Sequence, residues 1–127
     1  MCGRYSIYDI KELQARFELD AVSDIVKPVY NAAPSMTLPI ITNKDRGQIT
    51  LARWGLIPHW AKDETLGYKM INARAETITE KPAYKGPFNS RRCLIPANGF
   101  FEWMRTDAGK VPYYIELRHK QLFAFAG

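Results

Sequence analysis

The sequence predicts mixed α and β structure in which strands are in the majority. Five segments have the apolar content and length of strands, whereas one segment opens like a capped amphipathic helix. Hydrophobic residues make up 46% of the chain and aromatic residues 13%, which excludes the disordered class. With 127 residues, the chain has room for one domain, residues 1–127, with an ordinary core.

The first helix is predicted to begin at Asp9. An Asp at the cap position followed by Glu12 three residues later is a capping-box arrangement. Ile10, Leu13 and Phe17 then recur at the i, i+3, i+7 spacing of one helix face.

Prolines interrupt the next part of the chain. Residues 27–39 contain Pro28, Pro34 and Pro39. Because proline has no N–H to donate to a sheet, we expect this stretch to be a loop or an edge strand rather than a central strand.

The remaining elements alternate between strand-like runs and turns. A turn is predicted within Arg105–Lys110, which contains an Asp-Ala-Gly sequence, and another at His119 and Lys120, each returning one strand to the next. Thr77–Tyr84 is predicted as a short helix limited by Pro82. The predicted strands are Gln48–Trp54, Arg92–Pro96, Gly99–Trp103, Val111–Arg118 and Gln121–Phe125.

Charge and cysteine content limit the classes of function. Eighteen Lys and Arg against thirteen Asp and Glu give a net charge of +5, which fits a polyanionic partner such as nucleic acid. Two cysteines, Cys2 and Cys93, are too few for a disulfide framework or a cysteine-built zinc site, and we expect no metal and no cofactor. Because neither a signal-peptide stretch nor an apolar run of about 20 residues is present, we expect no membrane association and a cytoplasmic protein, nucleoid-associated if bacterial.

The second residue carries the strongest chemical signal. Methionine before a small residue is normally removed, so Cys2 is expected to become the N-terminal residue. Its amine, with an unperturbed pKa of about 7.7–8.0, is partly neutral at pH 7, and its thiol is a nucleophile once deprotonated. Such a 1,2-aminothiol condenses with an aldehyde to an imine that closes to a thiazolidine. For an isolated Met-Cys, an incidental small residue is the alternative interpretation.

Two further segments combine aromatic, polar and small residues. Trp54 is expected in the core, whereas Trp60 either packs or offers its face to an unstacked base. Asn72, Arg74 and Glu76 alternate with small residues, which predicts a strand or turn that displays them on one side. A salt-bridged surface strand explains the same pattern equally well.

Glu102 lies between two aromatic residues, Phe101 and Trp103. Apolar neighbours raise the pKa of a carboxyl group, as a general acid or base near pH 7 requires. The pattern alone favours an outward-facing Glu on an alternating strand. Cys93 lies in an apolar run and is expected to be an inert thiol in the core.

Six segments occur in an order that is more specific than composition or periodicity. They start at the N-terminus and extend to residue 103. In chain order they are Met1-Cys2-Gly3-Arg4, Tyr30-Asn31-Ala32-Ala33-Pro34, Arg53-Trp54-Gly55-Leu56-Ile57-Pro58, Asn72-Ala73-Arg74-Ala75-Glu76-Thr77, Arg92-Cys93-Leu94-Ile95-Pro96-Ala97 and Gly99-Phe100-Phe101-Glu102-Trp103.

Together these motifs resemble the SOS response-associated peptidase (SRAP) family over the whole chain. The resemblance implies an α+β fold, built around a strongly bent, mainly antiparallel β-sheet or barrel with a few short helices. It also implies covalent capture of abasic sites in single-stranded DNA, with a role in DNA-damage shielding and repair. Family members are longer and carry a further catalytic histidine in a His-Arg-Met-Pro-like motif. We therefore expect the C-terminal part of the fold to be absent, since His59 and His119 match neither that position nor that motif.

The same resemblance implies three catalytic residues. Cys2 would capture the sugar aldehyde, Asn72 would hold the sugar or the terminal amine, and Glu102 would shuttle protons. Four more residues would bind the DNA, by phosphate contacts or by stacking beside the lesion. They are Arg4, Arg74, Trp60 and Trp103.

Two other classes of function stay open at this point. In an N-terminal-nucleophile thiol peptidase or autoprotease, Cys2 would attack an acyl group, with Glu102 or the family's histidine as base. In a catalytically inactive fragment, a basic platform would bind single-stranded DNA without chemistry. The sequence leaves the oligomeric state open.

Overall fold

Eight strands and two short α-helices make up the computed structural model, which describes residues 2–127. The helices are α1 (Leu13–Phe17) and α2 (Pro82–Ser90). The strands are β1 (Arg4–Ile7), β2 (Val29–Ala32), β3 (Thr37–Thr42), β4 (Thr50–Arg53), β5 (Cys93–Ala97), β6 (Gly99–Thr106), β7 (Gly109–Glu116) and β8 (Phe123–Ala126).

The strands form two four-stranded antiparallel sheets. The first has the order β2-β1-β6-β7 and the second the order β4-β3-β5-β8. These sheets, with their two short helices, confirm the predicted α+β class with mainly antiparallel strands. In residues 2–127, no helix has the length and apolar character needed to cross a bilayer.

The two sheets pack through an aromatic cluster. Tyr5 of β1 lies 5.4 Å from Trp54 and 5.9 Å from Phe125 of β8, measured between ring centroids. Phe100 of β6 lies opposite Tyr5 and 5.8 Å from Phe125. Trp54, predicted in the core, is partly buried and packs against it, and its indole N–H donates to the Ile71 carbonyl over 2.9 Å.

Side chains alternate between two faces along β1. Tyr5 and Ile7 point inward and are 3% and 0% exposed. The sequence already alternates between polar and apolar residues over Arg4–Ile7, although no strand is predicted there; Ser6 lies on the other face and is also buried. The buried hydrophobic core comprises Tyr5, Ile7, Leu13, Leu19, Val26, Ala32, Leu38, Ile41, Ala97 and Leu122.

The predicted capping box is wrong, although a helical segment forms where it was expected. A 3-10 turn over Ile10–Glu12 leads into α1, and the Asp9 side chain makes no cap hydrogen bond. The Asp9 carboxylate instead accepts a 2.6 Å hydrogen bond from the amide of buried Asn98. That amide oxygen also accepts from the Tyr8 N–H, so one buried side chain fixes the end of β1 to the β5–β6 connection.

The proline-rich stretch contains two strands of different kinds. β2 is the edge strand of the first sheet, as predicted. β3 lies inside the second sheet, so the expectation for residues 37–39 is wrong. At Pro39 the strand pairs with Leu51 of β4, whereas its pairing with β5 begins only at Ile41. Pro39 therefore lies where β3 pairs with only one neighbouring strand. Its missing N–H does not interrupt hydrogen bonding to a second strand.

The predicted helix over Thr77–Tyr84 is misplaced. A 3-10 turn over Ala75–Thr77 comes first, and α2 begins at Pro82. Proline at the first helical position has no N–H that needs a partner, so Pro82 starts this helix rather than limiting it.

The Asp-Ala-Gly turn is confirmed, and the second predicted turn has a different role. β6 and β7 form a hairpin in which Thr106 pairs with Gly109, whose φ is 123°. His119 adopts a φ of 65° within a short 3-10 turn. The next strand, β8, pairs with β5, so this turn moves the chain to the other sheet instead of returning it to β7.

Candidate functional site

Cys2 lies immediately before β1 and is half-buried against the core. Its Sγ donates a 3.0 Å hydrogen bond to the Arg4 carbonyl. Burial raises the pKa of the Cys2 thiol, and the negative charge of Glu102 raises it further. Both effects favour the protonated thiol over the thiolate. The expected removal of Met1 concerns a residue outside the described range and stays a prediction.

Asn72 holds the beginning of the chain in place. Its side-chain amide donates a 2.9 Å hydrogen bond to the Cys2 carbonyl, across 70 residues of sequence. The Tyr84 hydroxyl of α2 donates to the Asn72 carbonyl over 3.3 Å and supports this loop. The segment around Asn72 is a loop that leads into a 3-10 turn, so the predicted strand is not formed and the turn alternative is correct.

Glu102 reaches the same place from β6. Arg4 pairs with Phe101 in antiparallel register, which puts Glu102 beside the residues that precede Arg4. Glu102 is partly buried and lies on the same face as Phe100, at the edge of the core. The structure thus brings Cys2, Asn72 and Glu102 together, although 100 residues separate the first from the last.

Three of the four predicted DNA-binding residues lie within two residues of a cluster residue in the sequence, and the fourth, Trp60, does not. Arg4 donates a 3.0 Å hydrogen bond to the Asn31 side chain of β2, and Trp103 is 43% exposed on β6. Arg74 is exposed, two residues after Asn72. Trp60 is 54% exposed in a separate loop.

Two supporting residues, Asn31 and Tyr84, are not among the predicted site residues. Asn31 orients the Arg4 guanidinium, and Tyr84 supports the Asn72 loop. Asn31 lies in a motif that the resemblance rests on, so a signal for it was present, whereas Tyr84 carries no recognisable pattern. Cys93, expected in the core, is half-buried instead, and burial raises the pKa of its thiol.

The cluster combines three chemically different side chains. It contains a thiol, a carboxylate whose charge acts on that thiol, and an amide that fixes the backbone of the nucleophile. In the described range, 2–127, no three or more His, Cys, Asp and Glu side chains are placed to hold a metal ion.

Comparison with known proteins decides the family. The sequence matches the SOS response associated peptidase (SRAP) family over residues 1–127. The chain belongs to the SRAP family. The protein YoaM of Bacillus subtilis, described as an abasic site processing protein, is 50% identical over 132 residues, which cover 100% of this chain and 58% of YoaM. The abasic site processing protein HMCES of Xenopus tropicalis is 38% identical over 109 residues, covering 76% of this chain and 32% of HMCES.

A solved structure agrees with the fold. A crystal structure of a protein from Bacteroides thetaiotaomicron superposes with a TM-score of 0.84 at 31% sequence identity. The match covers 98% of this chain and 58% of the other protein. This chain thus spans a little under three fifths of the length of the Bacillus and Bacteroides relatives.

Proposed function

We propose that this SRAP chain covalently captures abasic sites in single-stranded DNA through Cys2, as part of the response to DNA damage. The observation that carries the proposal is the convergence of Cys2, Asn72 and Glu102 at one end of β1. The names of the relatives support the substrate class, since YoaM and HMCES are described as abasic site processing proteins.

The chemistry begins with the sugar. An abasic deoxyribose is mostly a closed hemiacetal, and ring opening moves the hydroxyl proton from O1′ to O4′ to release the C1′ aldehyde. In this proposal Glu102, whose charge acts on the Cys2 thiol, assists this proton transfer. General acid-base groups contribute about 10²–10⁴-fold when they reach the reacting atoms.

Capture then forms two bonds to C1′. The neutral amine of Cys2 adds to the aldehyde, and the carbinolamine loses water to give an imine. The Cys2 sulfur adds to the imine carbon while its proton passes to nitrogen, which closes the five-membered thiazolidine. One water leaves and no oxidant or reductant is needed.

The surrounding residues position the reactants. Asn72 restrains the Cys2 backbone, so the amine and thiol stay close to one attack geometry. Arg4 and Arg74 supply positive charge for the phosphates, and Trp103 and Trp60 supply exposed rings on which bases of any identity stack. Such tolerance suits a lesion that arises at every kind of base.

The proposal is tested by mixing the purified chain with a single-stranded oligonucleotide that carries one abasic site. A denaturing gel separates covalent adduct from free DNA, and a tetrahydrofuran analogue, which has no aldehyde, is the control. We expect adduct with the abasic strand only. Absence of adduct from chain that has lost Met1 would contradict the proposal. Salt-sensitive binding without adduct would then favour a binding fragment, and turnover of amide bonds would favour a thiol peptidase.

A further inference from the structure

Trp54 contacts both of the segments that hold Cys2 in place. Its indole N–H donates to the Ile71 carbonyl over 2.9 Å, and Ile71 directly precedes Asn72, whose amide binds the Cys2 carbonyl. The Trp54 ring also lies 5.4 Å from the ring of Tyr5, which is three residues after Cys2 in the chain. One side chain therefore connects the loop that carries Asn72 with strand β1.

The backbone of Trp54 is fixed by the second sheet. Trp54 directly follows β4, and its N–H donates to the Met36 carbonyl over 2.9 Å. Its own carbonyl accepts a 2.8 Å hydrogen bond from the Ser35 N–H, and both partners directly precede β3. The indole therefore extends from backbone that continues the β3–β4 pairing, and side chains carried by such elements hold their geometry more precisely than those on loops.

The loop that carries Asn72 depends on hydrogen bonds for its position. Residues 70–74 form neither helix nor strand, and the Asn72 side chain is exposed. The Leu56 N–H donates to the Met70 carbonyl over 3.0 Å, and the Tyr84 hydroxyl donates to the Asn72 carbonyl over 3.3 Å at an exposed position. The bond from Trp54 is shorter than both and is partly buried, so water competes for it less.

Gly55 allows this loop to approach Trp54 closely. Its φ is 129°, and a Cβ at this position would clash with the Gly67 carbonyl oxygen. The turn after Trp54 therefore packs backbone to backbone against the segment that leads to the Asn72 loop, which only glycine permits here.

We propose that Trp54 is a positioning residue for Cys2, because its indole N–H holds the Asn72 loop where the Asn72 amide reaches the Cys2 carbonyl. A buried tryptophan N–H usually finds a partner. Here that partner is the carbonyl next to Asn72, and the same ring packs on β1. The inference rests on the proposed function in that capture is the reaction whose geometry Trp54 sets. Trp54 acts through Asn72 and not on the sugar itself.

The test removes the indole N–H and keeps the bicyclic ring. Stop-codon suppression replaces Trp54 by β-(3-benzothienyl)alanine, in which sulfur takes the place of the N–H. Single-turnover capture of an abasic strand is then measured as a function of DNA concentration. We expect a maximum rate about tenfold lower, with the half-saturating concentration within about twofold of wild type, because the reactants bind normally but are aligned less well.

Phe125→Leu is the matched control. The Phe125 ring lies 5.9 Å from that of Tyr5 and offers no hydrogen-bond donor, so this variant loosens the same aromatic cluster without touching the Asn72 loop. It should lower the stability of the fold and keep the maximum capture rate within about twofold of wild type. Equal losses of capture rate in the control and in the Trp54 analogue would show that packing sets the rate, and would overturn the inference.

A second measurement needs no DNA. Burial raises the pKa of the Cys2 thiol, so release of Cys2 from Asn72 should lower that pKa and shift iodoacetamide alkylation to lower pH. In a Cys93→Ala background, the Trp54 analogue and Asn72→Ala should each produce this shift, and Glu102 is kept in every variant. Combining them should shift the profile no further than Asn72→Ala alone, since both changes remove one restraint. Additive shifts, or an unshifted profile in the analogue, would overturn the inference.

The outcomes separate this inference from the proposed function. If wild-type chain forms adduct and the Trp54 analogue captures at the wild-type maximum rate, Trp54 is not a positioning residue and the capture proposal stands. If wild-type chain forms no adduct, the capture proposal falls, and the alkylation profiles decide whether Trp54 positions Cys2.

Discussion

On strands β1 and β6, alternate residues serve the two faces of one sheet in different ways. Tyr5, Ile7 and Phe100 face inward and pack into the core. Arg4 and Phe101, their neighbours in sequence, face outward among exposed rings and cations. Around Tyr5, Ile7 and Phe100 the inner face is apolar and stabilises the fold, whereas at Arg4 and Phe101 the outer face carries a cation and an aromatic ring. Stability and binding should therefore be separable by single substitutions on the same strands.

The largest effect is expected at Cys2, which precedes the first residue of β1. Cys2→Ala removes the thiol that closes the ring, so covalent adduct with an abasic strand should be lost. Binding of undamaged DNA should stay within about twofold of wild type, because the phosphate and stacking groups remain. Denaturing gels and anisotropy measure the two quantities. Cys93→Ala is the matched control and should form adduct normally; adduct formation by the Cys2→Ala chain would refute the aminothiol mechanism.

The inner face should determine stability. Ile7 is fully buried, and Ile7→Ala should lower the free energy of unfolding by about 2–5 kcal/mol, through lost transfer energy and a cavity. Arg4→Ala, on the outer face, should lower the free energy of unfolding by no more than about 1 kcal/mol, since it removes one exposed hydrogen bond. The same substitution should weaken DNA binding. Urea denaturation and anisotropy give both values. Equal losses of stability in the two variants would remove the distinction between the faces.

Glu102 belongs to the inner face by register, but its charge acts on the Cys2 thiol. Its removal should therefore have opposite effects on alkylation of that thiol and on capture of the abasic strand. Glu102→Gln removes a negative charge that raises the pKa of the Cys2 thiol. The thiol pKa should fall, the thiolate fraction at a given pH should rise, and alkylation by iodoacetamide should become faster near neutral pH. Capture of the abasic strand should slow by at least about tenfold, because proton transfer is lost.

Both rates are measured from pH 5 to 8 in a Cys93→Ala background, so that Cys2 is the one thiol that can be alkylated. Opposite movement of alkylation and capture supports the assignment of Glu102. Capture rates that match those of the parent over the whole pH range would exclude Glu102 from the mechanism.

The smallest effect is expected from Tyr5→Phe. The Tyr5 hydroxyl is buried without a hydrogen-bond partner among the described residues, and burial raises the pKa of this phenol above its usual range. A buried unsatisfied polar group costs about 1–3 kcal/mol, so its removal should leave stability unchanged or raise it by about 1 kcal/mol. Thermal and urea unfolding measure this change. A loss of more than 1 kcal/mol would show that the hydroxyl makes a stabilising contact in solution.

Local sequence signals predicted the hairpin and several strands. β6 and β7 follow from alternating apolar residues around an Asp-Ala-Gly turn, which is local information. β3 was harder to predict because Pro39 resembles a strand breaker. β1 was missed although its four residues alternate between polar and apolar. The sequence predicts that Pro82 limits a helix, whereas in the structure it starts one. Proline is tolerated in the first turn of a helix and breaks a helix interior, and no capping side chain distinguishes the two cases here.

The site depended on long-range pairing that no local pattern encodes. Cys2, Asn72 and Glu102 come together through the β1–β6 register and one hydrogen bond across 70 residues. Pattern alone rated Glu102 as an ordinary surface carboxylate, and only the ordered family motifs pointed to it. The alternation of small and polar residues at 72–77 predicted a strand as readily as a turn, because the spacing of side chains along the sequence does not fix the backbone conformation.

The central claim is that Cys2 forms the covalent bond, and intact mass followed by peptide mapping tests it most directly. The chain is incubated with an oligonucleotide that carries one abasic site, and the intact mass of the product is measured by mass spectrometry. We predict the mass of Met1-free protein plus DNA minus one water, with the modification on the N-terminal peptide that contains Cys2. A product that retains Met1, or a modification mapped to any other residue, would contradict the account.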